Sequence, residues 1–233
     1  MQTENPLRMS KAELLEVVLK HNARLAYRCQ HGHDGFSHKN CYKEKPGKEP
    51  LVGSFDIEAS GLKANFAVML SWCIKVVDKK TIWWDVLTGS DLASGNADRR
   101  IVESCIAAME KCDRVVTQYG SRFDIPFVRT RALKWNIPFP TYGTLYHTDV
   151  WRIARNKLCL HSNRQDAIAE AILGRNIKTR IHPDIWQKVQ FGSADERKKA
   201  LAYVLDHNKK DVKQLEANYL KLVPFIKETR TSI

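Results

Sequence analysis

L-V-G-S-F-D-I-E-A-S-G-L, residues Leu51 to Leu62, is the stretch on which the reading of this chain turns. Leu51, Val52 and Phe55 make a short apolar strand that runs into Asp56 and Glu58, then breaks at Ser60 and Gly61. Side chains in a strand alternate faces, so acids two positions apart point the same way. Like charges at the end of an apolar strand repel each other and resist loss of water, and a divalent cation relieves both problems. The competing reading is a solvated strand end. Further acids placed where a metal site needs them would separate the two.

Moving outward, a second strand is expected from about Phe66 to Val77, a turn at Asp78-Lys79-Lys80, and a third strand from Thr81 to Val86. Thr88 to Asn96, rich in Gly, Ser and Asp, reads as a loop. Ala97 to Lys111 reads as a helix burying Ile101, Cys105, Ala108 and Met109, and Val115 to Thr117 as a short buried strand. Three strands, a helix, a strand and a helix imply an α/β domain with a mixed central sheet and helices packed on it.

The next stretch, Y-G-S-R-F-D-I-P-F-V-R, places Asp124 after a Gly-containing bend and just ahead of an apolar helical turn. Its carboxylate belongs at the mouth of the sheet, or caps the helix carrying Phe127 and Val128, and the two roles are compatible. Asp149, in Y-H-T-D-V-W, ranks first as an N-cap or supporting residue and second as a metal ligand. Ser162 to Ile172 is a helix closed by Gly174, and Arg175 to Arg180 then supplies a basic cluster ahead of Trp186, a side chain that could stack a base or anchor the core. In the last helix, about Asp195 to Leu222, the residues Leu201, Val204, Leu205, Val212, Leu215, Tyr219 and Leu222 form an apolar stripe. Asp211 falls on or beside that stripe, with His207 one turn earlier on the same side. A carboxylate facing a core needs a cationic partner, and a metal shared with Asp56 and Glu58 supplies one.

Toward the N-terminus, Ser10 and Glu13 form a capping box for a short amphipathic helix reaching about Tyr27. The segment R-C-Q-H-G-H-D-G-F-S-H-K-N-C-Y follows, too polar to bury a core. Cys29, Cys41, His38 and His33, with His31 as the alternative, could supply the four ligands of a structural zinc, although the spacing departs from C-x2-C and H-x3-H. Residues 1-50 thus read as a helix, a Cys/His loop and a polar linker, and residues 51-233 as the main domain. Cys73, Cys105, Cys112 and Cys159 read as small core residues with reduced thiols.

Net charge is +12, and residues 151–233 carry most of it, with 17 basic against 9 acidic side chains. That asymmetry favours a polyanion partner, nucleic acid above all, over a merely solubilising surface. No run approaches the roughly 18 apolar residues of a membrane span. The first ten residues lack the pattern of a secretory signal, which points to the cytosol.

Taken together, D-I-E-A-S-G-L, F-D-I-P-F-V and H-N-K-K-D-V resemble the three motifs of DEDD-type 3′ to 5′ exonucleases of the ribonuclease H-like fold. The run from Leu51 to about Leu222 is similar to predicted ribonuclease H-like exonucleases often encoded by bacteriophages, which would act in the host cytoplasm. The resemblance implies that Asp56, Glu58, Asp124 and Asp211 hold two Mg or Mn ions, with Asp56 bridging both. His207 would bind or orient the attacking water, and an imidazole, which ordinarily titrates near neutrality, suits that task. His207 stands four residues before Asp211, where the histidine subclass of the family spaces it five, and the Asn common upstream of the second-motif Asp is absent. The expected partner is a single-stranded 3′ end of DNA or RNA, gripped by Arg122, Arg175, Lys178 and Arg180. A structure-selective endonuclease on the same site, or a non-catalytic zinc-containing nucleic-acid-binding protein, are the alternatives.

Overall fold

A computed structural model describes residues 10–29, 32–37, 42, 50–176, 181–226 and 232–233. The chain divides into two compact units, Met1–Pro50 and Leu51–Ile233. In the first, helix α1 (Lys11–Ala26) starts at the expected capping box, with Ser10 accepting from the Glu13 amide and the Glu13 side chain accepting from the Ser10 amide. None of its residues is buried.

The second unit contains β1 (Val52–Ala59), β2 (Met69–Val76), β3 (Ile82–Val86), α2 (Gly89–Ala93), α3 (Arg99–Met109), β4 (Arg114–Thr117), α4 (Asp124–Trp135), β5 (Tyr146–Asp149), α5 (Val150–Lys157), α6 (Gln165–Leu173), α7 (Pro183–Phe191) and α8 (Ala194–Leu222). The strands make one five-stranded sheet in the order β3-β2-β1-β4-β5. The pairs β1–β2 and β2–β3 are antiparallel, while β1–β4 and β4–β5 are parallel, which is the expected mixed sheet.

Register decides which helix covers which face. Asp56 pairs with Cys73, and directly opposed residues share a face. Cys73 packs with Leu205 and Val212, so α8 lies over the face that carries Asp56 and Glu58. Ile57 pairs with Trp72, whose indole N–H donates to Ser104 Oγ of α3 at 3.1 Å, so α3 covers the opposite face. Gly53 permits close packing in the central strand: a Cβ there would stand 2.6 Å from Ile74 Cγ2 and 2.9 Å from Cys112 Sγ.

Three expectations need correction. Thr88 to Asn96 is not wholly loop, because Thr88 and Asp91 form a reciprocal capping box that starts the short helix α2. Cys159 is exposed because it stands in the segment between α5 and α6, whereas Cys73 and Cys105 lie within packed elements and Cys112 sits against Gly53 of the central strand. The second strand also starts later than expected, and Phe66, 88% exposed, precedes it in a loop. Trp186 packs, half-buried, against the main core.

Candidate active site

β1 is the middle strand of the sheet, and it outruns its parallel neighbour. Its pairing with β4 ends at Ser54–Val116, leaving Asp56 to Ala59 beyond the ladder on that side. Phe55 and Ile57 are buried on the α3 face, whereas Asp56 and Glu58 are half-buried on the α8 face. Both acids therefore stand on the one face that α8 approaches.

The 29-residue α8 brings the third component. Along its buried side run Val204, Asn208, Asp211, Leu215, Asn218 and Leu222, spaced alternately four and three residues apart. His207 and Asp211 are 5% and 2% exposed. His207 Nε2 lies 3.4 Å from Asp211 Oδ2 and 3.6 Å from Glu58 Oε1. Donor atoms of Glu58, His207 and Asp211 all fall within 4.8 Å of one another, so the two carboxylates could share a divalent cation with the imidazole beside it. Asp56 and Asp124 are not members of that cluster.

Asp124 arrives differently. The cap position of α4 is Phe123, with no side-chain cap bond, and Asp124 is the first helical residue. Its buried carboxylate accepts the Ile57 amide at 3.2 Å, just where β1 has outrun β4. The acid thus supplies a missing ladder acceptor between Asp56 and Glu58, and fastens the second motif to the first.

Surrounding groups hold these elements in place. Asp149 caps α5 through the Trp151 amide and also accepts from the Tyr119 amide at 2.9 Å, the Ser121 amide at 3.1 Å and Ser121 Oγ at 2.6 Å. It clamps the loop leading to Asp124, in agreement with its expected supporting role. Thr117 Oγ1 is 2.7 Å from His147 Nε2 and accepts the Gly120 amide at 3.1 Å. Burial pushes the His147 imidazole down to about 4, so it is neutral near pH 7. Burial, reinforced by the facing Asp56 carboxylate, pushes the Cys73 thiol far up, which keeps it a protonated packing residue.

The sequence reading missed a set of buried amides. Asn208 Nδ2 donates to the Asp56 carbonyl at 3.4 Å and to Ser71 Oγ at 3.3 Å. Gln165 Nε2 donates to the Asp211 carbonyl at 2.7 Å, and Asn218 Nδ2 to the Gln165 carbonyl at 3.1 Å. A signal was present: Asn208 and Asn218 interrupt an otherwise apolar stripe at its own spacing, and a polar residue so placed needs a partner.

Of the expected nucleic-acid contacts, Arg122 is exposed in the loop before Asp124, and Arg175 is exposed after Gly174, the residue in left-handed conformation that ends α6. Lys178 and Arg180 lie outside the described residues, as do His31, His38 and Cys41 of the expected zinc set. In the N-terminal unit Cys29 is buried and His33 half-buried. The Cys29 amide donates to the His33 carbonyl at 3.0 Å, and the Gly32 amide to the Cys29 carbonyl at 2.7 Å, closing a tight turn. Among the described residues no helix is long and apolar enough to cross a membrane.

An α/β sheet with acids converging on its central strand defines a class known from other proteins. Residues 54–223 match the sequence pattern of the RNase_H superfamily, and the chain belongs to that superfamily. Membership agrees with the mixed sheet. A family B DNA polymerase from the hyperthermophilic archaeon Pyrobaculum calidifontis is similar in structure, with a TM-score of 0.59 at 19% identity. The similarity covers 78% of this chain and only 26% of the polymerase chain, so the chain spans about a quarter of that relative. No protein of curated description matches the chain in sequence.

Proposed function

We propose that this chain is a metal-dependent 3′ to 5′ exonuclease that hydrolyses phosphodiester bonds at single-stranded nucleic-acid ends. The observation that carries the reading is the convergence of Glu58, His207 and Asp211, with donor atoms within 4.8 Å, beside Asp56 on the same strand face and Asp124 bonded to the intervening amide. Asp56, Glu58, Asp124 and Asp211 would hold two Mg or Mn ions. When bound, such ions stabilise the charge that builds on the entering and leaving oxygens of an in-line displacement. His207 Nε2, facing two carboxylates, takes the proton from the attacking water. The basic C-terminal segment and the exposed Arg122 and Arg175 favour the phosphate backbone as ligand. A fold shared with part of a DNA polymerase agrees with a nucleic-acid substrate.

End-labelled oligonucleotides in Mg²⁺ or Mn²⁺ test this directly. The expected result is stepwise shortening from a free 3′ end, none from a blocked one, and none by an Asp56→Ala, Glu58→Ala protein. Continued degradation by that double variant would overturn the reading, and cleavage of a circular single strand would replace it with an endonuclease.

The zinc site is proposed as a separate, structural feature of the N-terminal unit, with Cys29, Cys41, His38 and one of His33 or His31 as ligands. Support comes from the buried Cys29 and the tight turn that bonds it to His33. Near-stoichiometric zinc in the purified protein, lost in Cys29→Ser, is the expected outcome. Absence of zinc from the parent protein would remove the proposal.

A further inference from the structure

The loop between β4 and Asp124 contains an aromatic residue in a conformation that its side chain does not favour. Tyr119 has φ 66°, the left-handed region, where a bulky residue is an outlier and Asn or Gly would be at ease. The backbone is kept there by neighbours, since the Tyr119 amide donates to Asp149 Oδ1 and the flanking Gly120 amide to Thr117 Oγ1. Strain of this kind is held at functional positions when the surrounding structure imposes it. The side chain does not repay it by filling the core, because Tyr119 is 44% exposed.

What the Tyr119 ring meets is a second aromatic and, beyond it, a cation. Its centroid is 5.1 Å from that of Trp151 in an edge-to-face arrangement. The Arg155 guanidinium lies 5.2 Å from the Trp151 centroid, and Arg152 and Arg155 are exposed on the same helix α5. Asp149 fixes both halves of this group, because the carboxylate that binds the Tyr119 amide also caps α5 at Trp151. The loop that carries Tyr119 continues through the exposed Arg122 to Asp124.

We infer that Tyr119 and Trp151, backed by Arg155, form a stacking platform for one unpaired base of the strand whose phosphate enters the site at Glu58, His207 and Asp211. Aromatic faces beside exposed cations suit single-stranded nucleic acid, because every base offers a π-face while the arginines reach phosphate. The inference rests on the nuclease reading and adds the place where a base is held.

Equilibrium binding of a fluorescent single-stranded oligonucleotide by the full chain carrying Asp56→Ala and Glu58→Ala, which is expected not to cleave and needs no chelator, separates the two; this double variant is the parent for the Tyr119 substitutions. A single abasic position is walked along the oligonucleotide. For the parent protein one position is expected to weaken binding about 5- to 100-fold. Tyr119→Asn, which suits the left-handed backbone and removes the ring, is expected to abolish that penalty, whereas Tyr119→Phe keeps it. An unchanged abasic penalty in Tyr119→Asn overturns the platform and leaves the nuclease reading standing. Failure to bind any oligonucleotide overturns the platform, and the nuclease reading is then decided by the cleavage assay on the unsubstituted chain. Thermal unfolding of Tyr119→Asn at or above the parent temperature establishes that the loop is still folded.

Discussion

His207 Nε2 sits 3.4 Å from Oδ2 of Asp211, one turn further along α8. A spacing of four residues puts both side chains on one helical face, so the imidazole reaches its own helix's acid and Glu58 on the sheet together. Replacing His207 with Gln or Glu58 with Gln is expected to lower single-turnover oligonucleotide cleavage by about 10²-fold or more, the usual scale for a proton-transfer or charge-bearing group. Quench-flow measurement at saturating protein isolates that step from product release.

For Asp124, charge and hydrogen bonding can be separated. Asp124→Ala leaves the Ile57 amide without its acceptor, and urea unfolding should show a loss of about 1–3 kcal/mol. Asp124→Asn keeps an acceptor oxygen and should stay within roughly 1 kcal/mol of the parent. Both variants lose cleavage if the carboxylate charge is required. Retained cleavage in Asp124→Asn would count against that role.

A buried ion pair ties the helix carrying Asp124 to the rest of the domain. Arg131 and Asp98 are 1% and 0% exposed; the guanidinium binds both Asp98 oxygens and the Ala64 carbonyl, and Asp98 also accepts from the Met69 amide and the Trp135 indole. Arg131→Met strands a buried carboxylate and is expected to cost about 3–5 kcal/mol in chemical denaturation. A smaller loss than about 1 kcal/mol would show that Asp98 finds compensation elsewhere.

Stability should depend on pH through His147. Its folded value near 4 lies below the ordinary 6.5, so between these limits the unfolded chain binds a proton that the folded chain refuses. The stability contribution is fully present above pH 6.5 and is lost as pH falls toward 4, amounting to roughly 3 kcal/mol over the window. Urea midpoints at pH 7.5 and 5 test this, and His147→Gln should flatten the slope.

Much of this arrangement is readable from residue order because it follows from local periodicity. Two acids two apart on a strand, and an acid four beyond a histidine on a helix, have their shared faces set by backbone geometry alone. The mixed sheet follows from element order for the same reason. Asp124 was ambiguous because a cap and a ladder acceptor look alike until it is known that β1 outruns β4. The bonds from Asp149 to the loop at Tyr119 and Ser121 and from Asn208 to Ser71 join distant segments, and no local spacing encodes such pairings. The exposed Cys159 shows the limit of reading burial from an apolar neighbourhood.

The cluster of Glu58, His207 and Asp211 is divided between β1 and α8, and 152 positions separate Asp56 from the Asn208 that binds its carbonyl. A growing polypeptide therefore carries Glu58 long before Asp211 is synthesised. Chain-closure entropy rises only slowly with such a separation, so the delay imposes a schedule more than a thermodynamic burden. A nascent chain lacking α8 lacks both His207 and Asp211, and on the proposed reading it gains hydrolytic competence only once the last long helix seats.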